Sequence, residues 1–295
     1  MPEQQMLMRV GAGFIAALDQ SGGSTPKTLE RYGVPQSEFE NNEDLMFDLV
    51  HAMRVRIMTN SAFGRPRVLG AILFEKTMRD TVDGLRASQY LWQRKSILPF
   101  LKIDVGLADE SSGVQMMKPF TDLSNRLNEA KSLDVFGTKM RSVIKRCNRQ
   151  AIEDIVEQQF DYARTILEHG LVPIVEPEID INAPDKADCE GVLRLNLERR
   201  LASLTDNEHV VFKLTLPEQA GFYSELSRHP RVLRVAALSG GYTQEESIRR
   251  LSENQSMIAS FSRALTEELR RDMAETDFSS ALDRAIEGIS SASAS

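Results

Sequence analysis

Eight short apolar runs recur along the chain: GFIAALD (13–19), RVLGAILF (67–74), ILPFLKID (97–104), DVFGTKMR (134–141), LVPIVEPEI (171–179), HVVFKLTLP (209–217), RVLRVAALSG (231–240) and SMIASFS (256–262). Their length and apolar character read as buried strands, most clearly in the β-branched HVVFKLTLP. Helical patterns lie between most of them. Alternation of this kind, without a long linker or low-complexity insert, implies parallel strands joined by right-handed helical crossovers. Eight such units in 295 residues match the size of a closed α/β barrel, the (β/α)8 or TIM fold. The competing architecture, a doubly wound open sheet, usually carries a G-x-G-x-x-G fingerprint after its first strand. Here that place is taken by SGGS (21–24), which does not fit. The expectation is one barrel domain spanning residues 1–295.

The helices are legible from their spacing. Leu45, Met46, Leu49, Val50, Met53 and Ile57 line one face of a helix over 42–57, with Asn42 as its N-cap. A second runs from Ile152 to His169 and stops at Gly170, a third from Lys186 to Leu204. The chain closes with a long helical pattern over 264–289, after which SSASAS (290–295) is expected to fray.

A net charge of -7 and a pI near 5.3 exclude a general nucleic-acid binder. An acidic chain still accommodates an anionic substrate if its cations gather in one cleft. Cys147 and Cys189 are distant in sequence and show no metal spacing, and the four histidines never cluster, so the pattern predicts no metal and a reducing compartment. With no run of 18 apolar residues and no targeting segment, the reading is a cytoplasmic protein without a membrane span.

Chemistry collects at the ends of the apolar runs. In HVVFKLTLP, strand alternation places Val211, Lys213 and Thr215 on one face. Desolvation disfavours a lysine's charged form, and a neutral amine attacks carbonyl carbon. A lone lysine at a strand end is usually solvated through snorkelling, so its neighbours decide. Asp19, Lys102 with Asp104, Lys139 with Arg141, and Glu176 with Glu178 also fall at strand C-termini. In a barrel these ends ring a single mouth. Charges flanked by Val, Ile and Phe need partners; a salt-bridge network across the barrel top is the purely structural alternative. As chemistry, the set divides the work of carbon–carbon cleavage. Lys213 forms an iminium with a ketone, Lys139 repels its charge, Glu176 moves protons as the carbinolamine dehydrates, and Asp19 takes a hydroxyl proton.

Anion handling has separate signals. LSGGYTQEES presents Ser239, Gly240 and Gly241 ahead of a Thr243/Glu246 capping box. SFSRAL presents Ser262 and Arg263 after the eighth run. Loops seven and eight are where barrels often seat phosphate. Ser21, Ser24 and Lys102 offer a second anion site, and two separated sites suggest a bisphosphorylated substrate.

Taken together, AALDQSGGSTPK, LGAILFE, PFLKID, VFGTKMR, VPIVEPEI, FKLTLP, LSGG and SFSRAL resemble class I fructose-1,6-bisphosphate aldolase, the metal-independent Schiff-base family, in its shorter bacterial branch. The resemblance covers nearly the whole chain. It implies a cytoplasmic lyase that reversibly cleaves fructose 1,6-bisphosphate to dihydroxyacetone phosphate and glyceraldehyde 3-phosphate, without a cofactor. It further implies Lys213 as Schiff-base lysine, Glu176 as proton acceptor and donor, Lys139 assisting, and Asp19 at the 4-hydroxyl. Ser239, Gly240 and Arg263 would hold the 1-phosphate, and Ser21, Ser24, Lys102 and Arg141 would lie towards the 6-phosphate. Gly241 and Ser262 would also line the substrate site, and Glu178 would tune it. Three departures stand out: no terminal tyrosine, Ser262 where animal members have glycine, and Tyr242, expected at the entrance. Sedoheptulose 1,7-bisphosphate or another sugar phosphate is the alternative substrate, and a non-catalytic barrel scaffold the alternative class. Nucleic acid and membrane are excluded as partners; monomer and homo-oligomer both remain open.

Overall fold

Residues 1–293 are described by a computed structural model. Eight parallel strands form the barrel: β1 (Phe14–Leu18), β2 (Val68–Leu73), β3 (Leu98–Lys102), β4 (Gly137–Ile144), β5 (Val172–Ile179), β6 (Val210–Thr215), β7 (Val232–Leu238) and β8 (Met257–Ala259). Each pairs with its sequence neighbours from β1 through β8, and β8 lies against β1 to bring the sheet nearly to closure. Seven of the eight expected runs contain their strand; β4 begins inside DVFGTKMR (134–141) but continues to Ile144, where it pairs with Val114 and with Ile179 of β5. An excursion after β3 adds a short antiparallel strand, Val114–Gln115, on the outer end of β4.

The labelled helices are α1 (Glu3–Val10), α2 (Ser24–Tyr32), α3 (Glu43–Thr59), α4 (Ala87–Lys95), α5 (Leu123–Ser132), α6 (Arg149–Glu168), α7 (Lys186–Leu201), α8 (Gln244–Ser252) and α9 (Glu275–Ser293). Short turns of helix at Glu75–Arg79, Ser224–Arg228 and Arg263–Thr266 fill three of the loops. Asn42 caps α3 as expected, its side chain accepting from the Leu45 N–H at 3.0 Å. α6 ends before Gly170, whose φ of +76° only glycine adopts freely. Thr243 caps α8 by accepting from the Glu246 N–H at 3.2 Å, while the Glu246 carboxylate turns to Arg249 and Arg250 instead of closing the box.

One helix departs from expectation. The pattern over 264–289 breaks into Arg263–Thr266 and α9, with irregular backbone between. Tertiary contacts override helical propensity there. The Arg56 guanidinium collects the carbonyls of Arg270, Arg271 and Met273 at 3.4, 3.1 and 2.7 Å, and the Arg271 N–H donates to the Tyr32 carbonyl at 2.7 Å. Those groups are then lost to an i→i−4 ladder. The expected fraying from residue 290 is not seen up to Ser293, whose hydroxyl accepts from the Ala259 N–H at 2.9 Å. Residues 294–295 lie outside those described. α9 thus covers the seam where β8 meets β1.

Two apolar layers result. The inner one fills the barrel with Ile15, Ala17, Leu98, Phe100, Ile174, Val211 and Ile258, and Met8 of α1 closes the bottom. The outer one lies between strands and helices. Gly137 is required where the inner layer is tightest: a Cβ there would stand 2.2 Å from the Val172 carbonyl and 2.8 Å from the Phe100 ring. The apolar filling ends one pleat below the mouth. The next inward-facing positions, just past β1 and on β3, β4, β5 and β6, are charged: Asp19, Lys102, Lys139, Glu176 and Lys213.

Candidate active site

The period of two that packs Val211 and Ile174 inward also delivers Lys213 and Glu176 inward, one pleat higher. Ile174 pairs with Val211 in the β5/β6 ladder, so Glu176 stands opposite Lys213. On the other side, Lys102 pairs with Lys139 and Arg141 with Glu176. Register alone therefore assembles the floor of a cavity of about 820 Å³ at the strand C-termini.

Lys213 is 5% exposed. Its Nζ lies 2.9 Å from Oε1 of Glu176, and the other oxygen of that carboxylate lies 3.2 Å from Lys139 Nζ. Lys139 also reaches Asp19 at 2.8 Å and Asp104 at 3.7 Å. Burial works against the Lys139 ammonium, but the charges of Asp19, Glu176 and Asp104 outweigh it and hold its pKa well above the ordinary lysine range. Burial likewise opposes the Asp19 carboxylate, and Lys139, Lys213 and Lys102 more than compensate, holding it well below the usual range. Lys139 is therefore a permanent cation and Asp19 an empty proton acceptor. Behind the floor, Gln159 of α6 receives the Glu176 N–H at 2.9 Å and donates to Ser142 at 3.0 Å, a buried link that locks β5.

The rim has two kinds of cation. Lys102 sits 2.7 Å from Asp104. The Arg141 Nε sits 2.5 Å from Glu178, and although burial opposes it, Glu178 raises the guanidinium further above its ordinary value. Ser24 is turned inward on its own loop, donating to the Ser21 carbonyl at 3.0 Å and accepting the Ser21 N–H at 3.2 Å. Across the mouth, Arg263 is exposed and holds no hydrogen-bond or ion-pair partner among the described residues. Beside it Gly240 and Gly241 have φ of +60° and +120°, and a Cβ on Gly240 would meet Ile181 at 2.7 Å. Successive backbone N–H groups in such a turn form an anion cradle. All fourteen residues expected at the site line this one cavity.

Residues 3–219 match the family model described as fructose-bisphosphate aldolase class-I. The fructose-bisphosphate aldolase class 1 of Porphyromonas gingivalis is 50% identical over 291 residues, 99% of this chain and 98% of that one. This chain belongs to the class I fructose-bisphosphate aldolases. The fold agrees. It superposes on the Plasmodium falciparum fructose-bisphosphate aldolase, solved with TRAP and a small-molecule inhibitor, with TM-score 0.77 at 20% identity, over 99% of this chain and 93% of that one. An archaeal fructose-1,6-bisphosphate aldolase, whose catalytic lysine was captured as the substrate carbinolamine, gives TM-score 0.52 at 13% identity, covering 97% and 99% of the two chains. The enzyme is a lyase for the aldol cleavage of fructose 1,6-bisphosphate, in a family that binds sugar phosphates.

The aldolase cavity also contains groups that the sequence reading left without a role. Asp104 braces Lys102 and faces Lys139. Ser260, just after β8, is buried on the cavity wall, and its hydroxyl has no hydrogen-bond partner among the described residues. Gln20 bridges the first and last loops, donating to Ser262 Oγ and to the Ala17 carbonyl. The available signal was position: each follows a strand or sits beside a residue already singled out. Tyr242, expected at the entrance, is not on the cavity wall; its ring lies under Arg250 and its hydroxyl is 3.3 Å from Glu218. Cys147 and Cys189 are free thiols, both pushed up in pKa by burial. Among the described residues no set of three or more His, Cys, Asp or Glu side chains could hold a metal, and no helix is long and apolar enough to cross a membrane.

Proposed function

We propose that Lys213 is the Schiff-base nucleophile and that Glu176, Lys139 and Asp19 carry the proton traffic around it. The observation that carries this reading is the bridged pair: one buried carboxylate touching Lys213 with one oxygen and the permanent cation Lys139 with the other. Glu176 takes a proton from Lys213, freeing the amine to attack the substrate's C2 carbonyl. It then returns a proton to the carbinolamine hydroxyl, which leaves as water and yields the iminium. Asp19 accepts the proton of the 4-hydroxyl. The C3–C4 electrons flow into the iminium, giving an enamine on Lys213 and releasing glyceraldehyde 3-phosphate. Protonation at C3 and hydrolysis release dihydroxyacetone phosphate and restore the amine. Lys139 stabilises negative charge throughout without losing its proton.

Ser239, Gly240, Gly241, Ser262 and Arg263 receive the 1-phosphate, with Arg263 as the uncommitted charge. Ser21, Ser24, Lys102 and Arg141 receive the 6-phosphate, and Glu178 holds Arg141 in place. The enzyme works in the cytoplasm on sugar phosphates, with no nucleic-acid or membrane partner, as a monomer or homo-oligomer.

Borohydride reduction in the presence of dihydroxyacetone phosphate, followed by peptide mass mapping, tests the assignment. The expected product is a single secondary amine on Lys213. An adduct on another lysine, or none, overturns it.

A further inference from the structure

α3 places Arg54 on its inner face, in step with Val50 and Ile57, and the side chain is 0% exposed. It is the bulkiest of the fully buried side chains. Among the described residues no carboxylate forms an ion pair with its guanidinium. Instead Nη1 donates to Thr77 Oγ1 at 2.6 Å, and Nη2 donates to the Gln20 carbonyl at 2.5 Å, with Gln20 Oε1 at 3.4 Å. Nε has no hydrogen-bond partner among the described residues. Burial pulls its pKa down to about 10, partly offset by the charge of Asp19. A buried, unpaired cation is a poor stability device, because an apolar side chain of similar volume would fill the same space at lower desolvation cost.

What the guanidinium holds is the turn directly after Asp19. Thr77 is itself buried, in the short helical turn that follows β2, so it offers a fixed anchor. From that anchor Arg54 grips the Gln20 carbonyl, and the Gln20 side chain continues to Ser262 on the last loop. Asp19 sits between β1 and this clamp, 2.8 Å from Lys139. Its backbone has a strand on one side and a doubly bonded guanidinium on the other. We propose that Arg54 is a positioning residue for carbon–carbon cleavage: anchored on Thr77, it pins the Gln20 carbonyl and so fixes the Asp19 carboxylate where the hydroxyl proton must be taken. It touches no substrate. The inference rests on the reading of Asp19 as that acceptor.

The test separates formation of the Lys213 adduct from bond cleavage. Arg54→Met removes the grip and fills the space; Arg54→Lys keeps a charge but has no fork to reach both Thr77 and Gln20. For each folded variant, dihydroxyacetone phosphate trapping by borohydride is measured beside kcat and KM for fructose 1,6-bisphosphate. The expected result is wild-type trapping, KM within about threefold, and kcat lowered by roughly 10- to 100-fold, as for loss of an outer support of a reacting group. Arg54→Lys is expected at the milder end of that range and Arg54→Met at the severe end. A kcat within twofold of wild type in either variant overturns the inference, as does a loss of trapping parallel to the loss of kcat. Asp19→Asn is run alongside: if it cleaves at the wild-type rate, the Asp19 assignment itself fails, whereas normal trapping with slow cleavage in Asp19→Asn and fast cleavage in Arg54→Met refutes Arg54 alone.

Discussion

The floor of the cavity and its β7/β8 rim contain the same residue classes in opposite states. On the floor every charge has a partner: Lys213 with Glu176, Lys139 with Asp19, Glu176 and Asp104. On the rim Arg263 has none among the described residues, and two glycines turn their backbone towards it. Paired charges at hydrogen-bond distance can pass protons to one another, which suits chemistry at a carbonyl. An unpaired guanidinium beside open N–H groups is incomplete until an anion arrives, which suits binding. The opposite rim, Lys102 with Asp104 and Arg141 with Glu178, lies between these extremes. An anion there must share each cation with a carboxylate already present. The β7/β8 rim is thus expected to grip an anion more strongly than the opposite one.

The largest effect should come from breaking the floor. Lys213→Ala is expected to lower kcat by about 10⁴-fold or more, as for removal of a nucleophile, with loss of borohydride trapping while the fold is retained. Steady-state assay and far-UV circular dichroism check both halves. Next, Arg263→Ala should raise KM for fructose 1,6-bisphosphate roughly 10- to 100-fold, the equivalent of ~1.5–3 kcal/mol for a charge-assisted hydrogen bond, with a smaller change in kcat. Gly240→Ala attacks the same end through the backbone: a left-handed φ costs about 1–2 kcal/mol for a residue with a Cβ, and Ile181 stands in its way. Its KM should rise while turnover at saturation survives. Arg141→Ala sharpens the contrast between rims. Because Glu178 already holds that guanidinium, KM should rise by only about 2- to 5-fold, on the scale of a shared ion pair. A larger rise for Arg141→Ala than for Arg263→Ala would reverse the ranking of the two ends.

The smallest effect is on stability against pH. Asp19's pKa is depressed in the folded state, so its contribution is fully present above the unfolded carboxylate value of about 4 and is lost as pH falls through the folded value. The Lys139 pKa is raised, so its contribution is complete below the unfolded lysine value of about 10.5 and is lost only as pH rises through the folded value. Urea midpoints should therefore be flat across neutrality and fall below about pH 4. Asp19→Asn should soften that acid-side fall.

Much of this was legible in one dimension. Each barrel strand begins within its apolar run, and all but β4, which continues three residues past it, also end there, because a parallel strand covered on both faces must be continuously apolar. The charged residues at those ends were visible against that background. What escaped was everything set by packing between distant segments. Arg54 reads as a polar interruption of an apolar helix face, and Ser260 as one serine among several. The helix over 264–289 was misread because Arg56, more than two hundred residues earlier, takes the carbonyls that a continuous helix would need. Tyr242 looked like an entrance residue until Arg250 and Glu218 claimed it.

The order of elements, the inward parity of Lys213 and Glu176, and the glycines after β7 belong to the sequence, since alternation and backbone sterics act over a few residues. Which cations are spent and which remain free was decided only by the closed barrel. A charge's state depends on what stands within a few ångströms of it, and closure brings β1, β4, β5, β6 and β8 to a common mouth.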